Sequence, residues 1–218
     1  GQSSPDASPL ASACRGDRRA IVVAHFDPAG GCDPHVVHAL EQYRRCCDRL
    51  ILVSNGGPPR PPEEVAPLLD AYAGRPNVGY DFCAWRDGLA TLDRGDYDEI
   101  ICVNDSVYGP LADLRPVLAS PYVRHADLWG MVVSEQPVSR PSGPRRHVQS
   151  WFFAMRRRLL QSDLYERFWA GVEPQESKQD VIDRYEIGLS DAAAREGMAV
   201  AGIYDAGLAP RVRLSELW

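Results

Sequence analysis

DEIICVNDS, residues 98–106, decides the fold. Asp98-Glu99 leads in, Ile100–Val103 run without a polar break, and Asn104-Asp105-Ser106 ends the run abruptly. An uninterrupted apolar stretch of this length, bounded by turn-forming residues, reads as a strand buried on both faces. Two more segments share the design: AIVVAHF at 20–26, and LILVS at 50–54 ahead of Asn55-Gly56-Gly57-Pro58-Pro59. DLWGMVV (127–133), 149–155 and 199–204 supply further strands. Between them the spacing predicts helices. Asp33-Pro34 starts one to about Cys46, Glu63–Tyr72 forms a short one, and Asp81 caps one to about Leu92. Leu111–Leu118, 156–170 and a capping-box helix from Ser177 to Glu196 complete the set. Strands alternating with helices give an α/β fold, a single Rossmann-type domain with a mostly parallel central sheet flanked by helices. Its ligand crevice belongs beyond the C-terminal ends of the strands.

A chain of 218 residues suits one such domain over 18–218, with the Ser/Pro/Ala-rich residues 1–17 expected as a flexible tail. Lys and Arg number 24 against 30 Asp and Glu, a net charge of −6, which argues against nucleic acid as a partner. No apolar run is long enough to span a membrane, and the start lacks the basic-then-apolar pattern of a secretory signal. Cysteines at 14, 32, 46, 47, 83 and 102 include no CxxC pair, so a reduced, cytoplasmic protein is expected.

Polar clusters fall at strand ends. Asp105 could hold a divalent cation or a ribose against phosphates, with Asn104 and Ser106 beside it; an Asx turn explains Asn104-Asp105 equally. In Asn77-x-Gly79-Tyr80-Asp81, Gly79 permits close backbone approach and Asp81 heads a helix whose free N–H groups favour phosphate. Phe82, Trp85 and Leu89 fit either a base pocket or that helix's core. Arg145-Arg146 could neutralise a diphosphate just before His147-x-Gln149, where His147 is otherwise a structural residue at a strand start. Glu186 lies at the edge of the apolar face formed by Val181, Ile182, Tyr185, Leu189 and Ala192. A half-buried carboxylate there would have the raised pKa of a general base; a solvated boundary residue is the alternative. Cys32, His35 and His38 lack a second ligand pair at zinc spacing, and helical packing accounts better for the histidines. The Pro/Ser/Gly/Arg-rich stretch Ser134–Arg146 reads as a mobile loop that donor binding would order.

Five blocks in order, NVGYDFCAWRDGL (77–89), NDSVYGPL (104–111), DLWG (127–130), HVQSWFF (147–153) and YEIGLS (185–190), resemble the rhamnan synthesis protein F family over about residues 20–205. The resemblance implies a bacterial glycosyltransferase of cell-wall and lipopolysaccharide polysaccharide assembly, with a GT-A-like fold. In the wider GT-A comparison LILVSNGG is similar to the base-contacting strand end, NDS stands where a metal-binding DxD is usual, and YEIGLSDAAAREG resembles the helix carrying the base. It implies an inverting transfer of rhamnose or another deoxyhexose from a nucleotide-diphosphate donor such as dTDP-rhamnose to a glycan or lipid-linked glycan. Glu186 would be the base and Asp105 the donor or metal ligand, for Mg²⁺ or Mn²⁺. Donor contacts would come from Asn55, Asn77, Gly79, Asp81, Arg86, Asn104, Ser106, Arg145, Arg146, His147 and Gln149. Peripheral association with the inner membrane or a larger assembly would follow. A sugar-nucleotide-binding module without turnover is the alternative. Two departures stand out: one acid in 104–106, and Ile187 where Asp is usual.

Overall fold

The computed structural model describes residues 17–137 and 144–206. One eight-stranded sheet organises them, in the order β3-β2-β1-β4-β7-β5-β6, with β8 also paired to β5. Its first half is parallel: β1 (Arg19–Phe26) lies between β2 (Arg49–Asn55) and β4 (Glu99–Asn104), and β3 (Ala71–Arg75) adds outside β2. The second half is mixed. β7 (Phe152–Arg156) runs antiparallel to β4 and to β5 (Leu128–Pro137), β6 (Pro144–Val148) is antiparallel to β5, and β8 (Val200–Asp205) is parallel to it.

Alternation along β1 sends Ala20, Val22 and Ala24 to one face and Ile21 and Val23 to the other. The first face is covered by α2 (Tyr80–Leu89), α5 (Asp163–Ala170) and the helix that contains α7 (Ile187–Arg195). α1 (Pro34–Arg44) covers the second with the short α3 (Arg115–Leu118). A short α4 (Arg157–Leu160) follows β7 directly. Before α7 the chain turns through α6 (Lys178–Val181) and a π-helical turn, Ile182–Glu186.

Several expected elements differ. Glu63–Tyr72 is not a helix: one 3₁₀ turn at Ala66–Leu68 precedes β3. A prolyl residue inside that turn and edge pairing to β2 outweigh helix propensity over so short a segment. Within Leu111–Leu118 only Arg115–Leu118 is helical. Asp81 stands in the first turn of α2, and Gly79 caps it at φ 82°. The stretch Ser134–Arg146 is largely hairpin, because β5 and β6 pair out to Pro137 and Pro144; residues 138–143 of it, like 1–16 of the expected tail, lie outside the described residues. His147 is inside β6 rather than before a strand, and Gln149–Trp151 form the turn into β7.

Candidate functional site

β1, β2 and β4 all end on one side, and the chain leaves β1 towards β2 but returns to its other flank as β4. That reversal opens a crevice between the two strand ends. Asp105, one residue beyond β4, bridges it: Oδ2 accepts the N–H of Phe26, the last residue of β1, at 2.8 Å. His25 Nε2 stands 3.8 Å from the same oxygen, while His25 Nδ1 lies 3.0 Å from the Ser54 hydroxyl. Asp27 closes the loop after β1, accepting from the N–H groups of Ala29 at 2.8 Å and Gly31 at 3.0 Å.

Asn104 does two jobs. Its Oδ1 accepts from Ser106 N–H at 3.2 Å, which is the Asx turn, and its amide donates to Asp81 at 2.8 Å. Burial holds the Asp81 carboxyl above its usual range despite that amide, and the neighbouring Asp105 charge pushes the same way. Asn55 is buried at the end of β2 and bonded to the Arg75 guanidinium. Asn77 is exposed beside Gly56 and the Phe26 ring. Gly79 is irreplaceable on two counts: its φ is positive, and an added Cβ would sit 2.2 Å from Cys83 Sγ.

A second cluster surrounds Glu186, the last residue of the π-helical turn. Its Oε1 lies 3.2 Å from His147 Nε2, and its Oε2 accepts from Ser150 N–H at 2.8 Å and from the Ser150 hydroxyl. His147 is fully buried, and its Nδ1 donates to the Arg145 carbonyl at 2.9 Å. A ring with an acceptor at each nitrogen is satisfied as the imidazolium. Burial opposes that charge, yet the bonds to Glu186 and the carbonyl outweigh it and raise the His147 pKa. Glu186 is the counterpart: burial would raise its carboxyl, but His147 and Ser150 hold it below the usual range. The raised pKa expected for it is therefore not found, because edge-of-helix position says nothing about what packs opposite.

The turn 149–151 joins the two clusters. Ser150 binds Glu186, and the carbonyl of Trp151 accepts the Asn104 N–H at 3.1 Å. Gln149 donates to the Ser134 hydroxyl at 3.4 Å and accepts the indole N–H of Trp151 at 3.1 Å.

The expected arginines are committed elsewhere. Arg86 pairs with Asp87 and donates to the Val172 carbonyl at 2.6 Å, Arg145 pairs with Asp191, and Arg146 with Asp205. Arg75 is the cation the sequence reading missed: it bonds Asn55 and the Val78 carbonyl and pairs with Asp87 at 2.8 Å. Recognising Ala71–Arg75 as a strand would have put it at a strand end. His35 and His38 do not converge with Cys32 on a metal; the His35 ring packs against Tyr108 and His38 Nε2 lies 3.1 Å from the Pro110 carbonyl.

Among solved structures the fold is similar to that of a mannosyltransferase from Pyrobaculum calidifontis, determined with GDP-Man and Mn²⁺. The TM-score is 0.53 at 14% identity, covering 91% of this chain and 59% of that one. A Methanothermobacter nucleotidyl transferase aligns with TM-score 0.51 at 12% identity over 88% of both chains. An uncharacterised protein of Sinorhizobium fredii, y4gN, is 23% identical over 133 residues. That alignment takes in 60% of this chain, which spans about a third of the relative's length (34%). Residues 50–209, from β2 to beyond β8, match the rhamnan synthesis protein F family, and the chain belongs to it.

Proposed function

We propose that this domain is a glycosyltransferase that moves a sugar, rhamnose or another 6-deoxyhexose, from a nucleotide-diphosphate donor such as dTDP-rhamnose to a glycan or lipid-linked glycan, with inversion. One observation carries the reading: Asp105 is pinned by the Phe26 N–H across the crevice between β1 and β4. Membership of a rhamnan synthesis family and a fold like that of a GDP-Man-binding transferase support it.

In this reading the nucleoside lies over the ends of β1 and β2, near Asn55 and Asn77, and the diphosphate lies towards Asp105. Phe26 uses one carboxylate oxygen of Asp105 and leaves the other for a hard cation. Among the described residues no three acidic, histidine or cysteine side chains could cage a metal alone, so Asp105 would share Mg²⁺ or Mn²⁺ with the donor phosphates. When bound, such a cation offsets negative charge on the departing diphosphate. Glu186 is the proposed base. Three bonds occupy its oxygens, which offer about four lone-pair positions, so one remains for an acceptor hydroxyl. Asn104, Asp81 and Ser106 shape the floor of the crevice, while Arg86, Arg145 and Arg146 would need to exchange partners to reach a donor. No helix among the described residues is long and apolar enough to cross a membrane. We place the domain in the cytoplasm, working at the membrane's inner face or within a larger polysaccharide-assembly protein.

A sugar-nucleotide-binding module without turnover is the second reading, favoured by the heavy engagement of Glu186 and by buried Ile187 next to it. Incubation with a panel of sugar nucleotides and Mn²⁺, with and without glycan acceptors, separates the two. Release of nucleoside diphosphate supports the enzyme; saturable binding with no release supports the module.

A further inference from the structure

Beside Asn104, on the β4–β7 side of the sheet, lies a cavity of about 200 Å³ that neither Asp105 nor the nucleoside position uses. Its walls include Tyr108, Leu114, Met131, Trp151 and Phe152. We propose that it is the acceptor subsite and takes one pyranose ring, stacked against Trp151 and Tyr108; this rests on the glycosyltransferase reading.

Size sets the class of occupant. Pockets that enclose drug-sized ligands run to roughly 300–1,000 Å³, so this one has room for a single ring and not for an oligosaccharide or a polyisoprenyl chain. The chemistry agrees. Pyranose rings present C–H groups on a face that suits an aromatic side chain, and Tyr108 adds a hydroxyl at a wet rim, where it is 75% exposed. Position agrees as well. Asn104 at the end of β4 and Trp151 in the turn before β7 put the cavity past Asp105 from β2, on the sheet face that α1 and α3 cover.

Both walls are braced by hydrogen bonds and ring contacts. On one side α1 steadies the 108–110 segment, through the His35 ring 4.4 Å from that of Tyr108 and through His38 at the Pro110 carbonyl. On the other, Gln149 fixes the Trp151 indole and Ser150 ties the same turn to Glu186, the proposed base. The brace that orients the stacking surface thus also holds the carboxylate that would receive the acceptor proton.

The test is direct binding to the whole chain, read by NMR of the indole N–H signals. Trp151 is assigned by the signal lost in Trp151→Phe, a variant that keeps an aromatic face and loses the bond to Gln149. Titration with methyl α-L-rhamnopyranoside should shift the Trp151 signal saturably, and Tyr108→Ala, at an exposed position, should weaken binding about tenfold. Hexan-1-ol is the control for an apolar chain. A shift with hexanol and none with the pyranoside overturns the proposal, as does a pyranoside effect that Tyr108→Ala leaves unchanged. Donor binding is followed separately through the melting temperature with sugar nucleotides. Donor binding without pyranoside binding defeats the subsite alone; pyranoside binding without any donor binding defeats the glycosyltransferase reading and keeps the ring site.

Discussion

Glu186 and His147 form the most informative pair of side chains, since each fixes the charge of the other. Glu186→Gln should leave sugar-nucleotide affinity nearly unchanged, because the acceptor and not the donor meets the base. Transfer should fall about 100-fold or more. Calorimetric donor binding beside a transfer assay checks this, and wild-type turnover would move the base to Asp27. The pair also sets a pH window. His147, raised from 6.5, contributes stability that is complete below about pH 6.5 and fades as pH climbs through its folded pKa. Glu186, lowered from 4.5, contributes stability present above about pH 4.5 and lost as pH falls through its folded pKa. The melting-temperature advantage of the wild type over His147→Gln should therefore be widest between those values and narrow on the alkaline side. A difference independent of pH would mean the imidazole is neutral. At the donor end, Asp105→Asn should weaken sugar-nucleotide binding more with Mn²⁺ than in EDTA. Equal loss in both would assign Asp105 to ribose or sugar contacts instead.

At the scale of elements, α2 packs directly against the parallel strands β1 and β2 that end at the crevice. Gly88 makes that contact possible: a Cβ there would come within 2.5 Å of Val22 Cγ1 and 3.0 Å of Val53 Cγ2. Gly88→Ala should raise helix propensity yet destabilise by roughly 1–3 kcal/mol, the usual cost of overpacking a filled core. Urea midpoints check it, and a gain in stability would show that α2 can ride outward freely. Trp85 anchors the same helix by donating its indole N–H to the Val103 carbonyl at 2.9 Å, one residue before Asn104. Phe82 and Trp85, both fully packed, serve the helix core and not a base pocket. The first turn of the same helix carries Asp81, which accepts the Asn104 amide.

For the molecule as a whole, a ligand that binds only the folded state raises its melting temperature. A cognate sugar nucleotide at about 100 times its Kd adds about 2.7 kcal/mol, which for a domain of this size is a shift of roughly 5–10 °C. Differential scanning fluorimetry over a panel of sugar nucleotides should single out a dTDP-linked deoxyhexose; a flat response across the panel would count against any donor site between β1 and β4.

Strand character was legible because it is local. Ile100–Val103, Ile21–Val23 and Leu50–Val53 are apolar without interruption, and only a sheet covered on both faces buries every residue of such runs. The polar stop at Asn104-Asp105 was legible for the same reason, and so was the family, whose blocks lie in order along the chain. The sequence by itself thus determined the α/β class and the family, and it placed the polar candidate residues at strand ends. Tertiary structure alone decided the rest. Ala71–Arg75 is a strand because β2 offers an unpaired edge, which no window of that segment contains. Arg145 and Arg146 looked free for phosphate because Asp191 and Asp205 are distant in sequence, whereas the Asp87 partner of Arg86 is its neighbour along the chain. Glu186 is held ionised, against the expectation from burial, by a histidine 39 positions away. Partners that meet only after the sheet closes set a side chain's charge and hydrogen bonds, and spacing along the chain carries no trace of them.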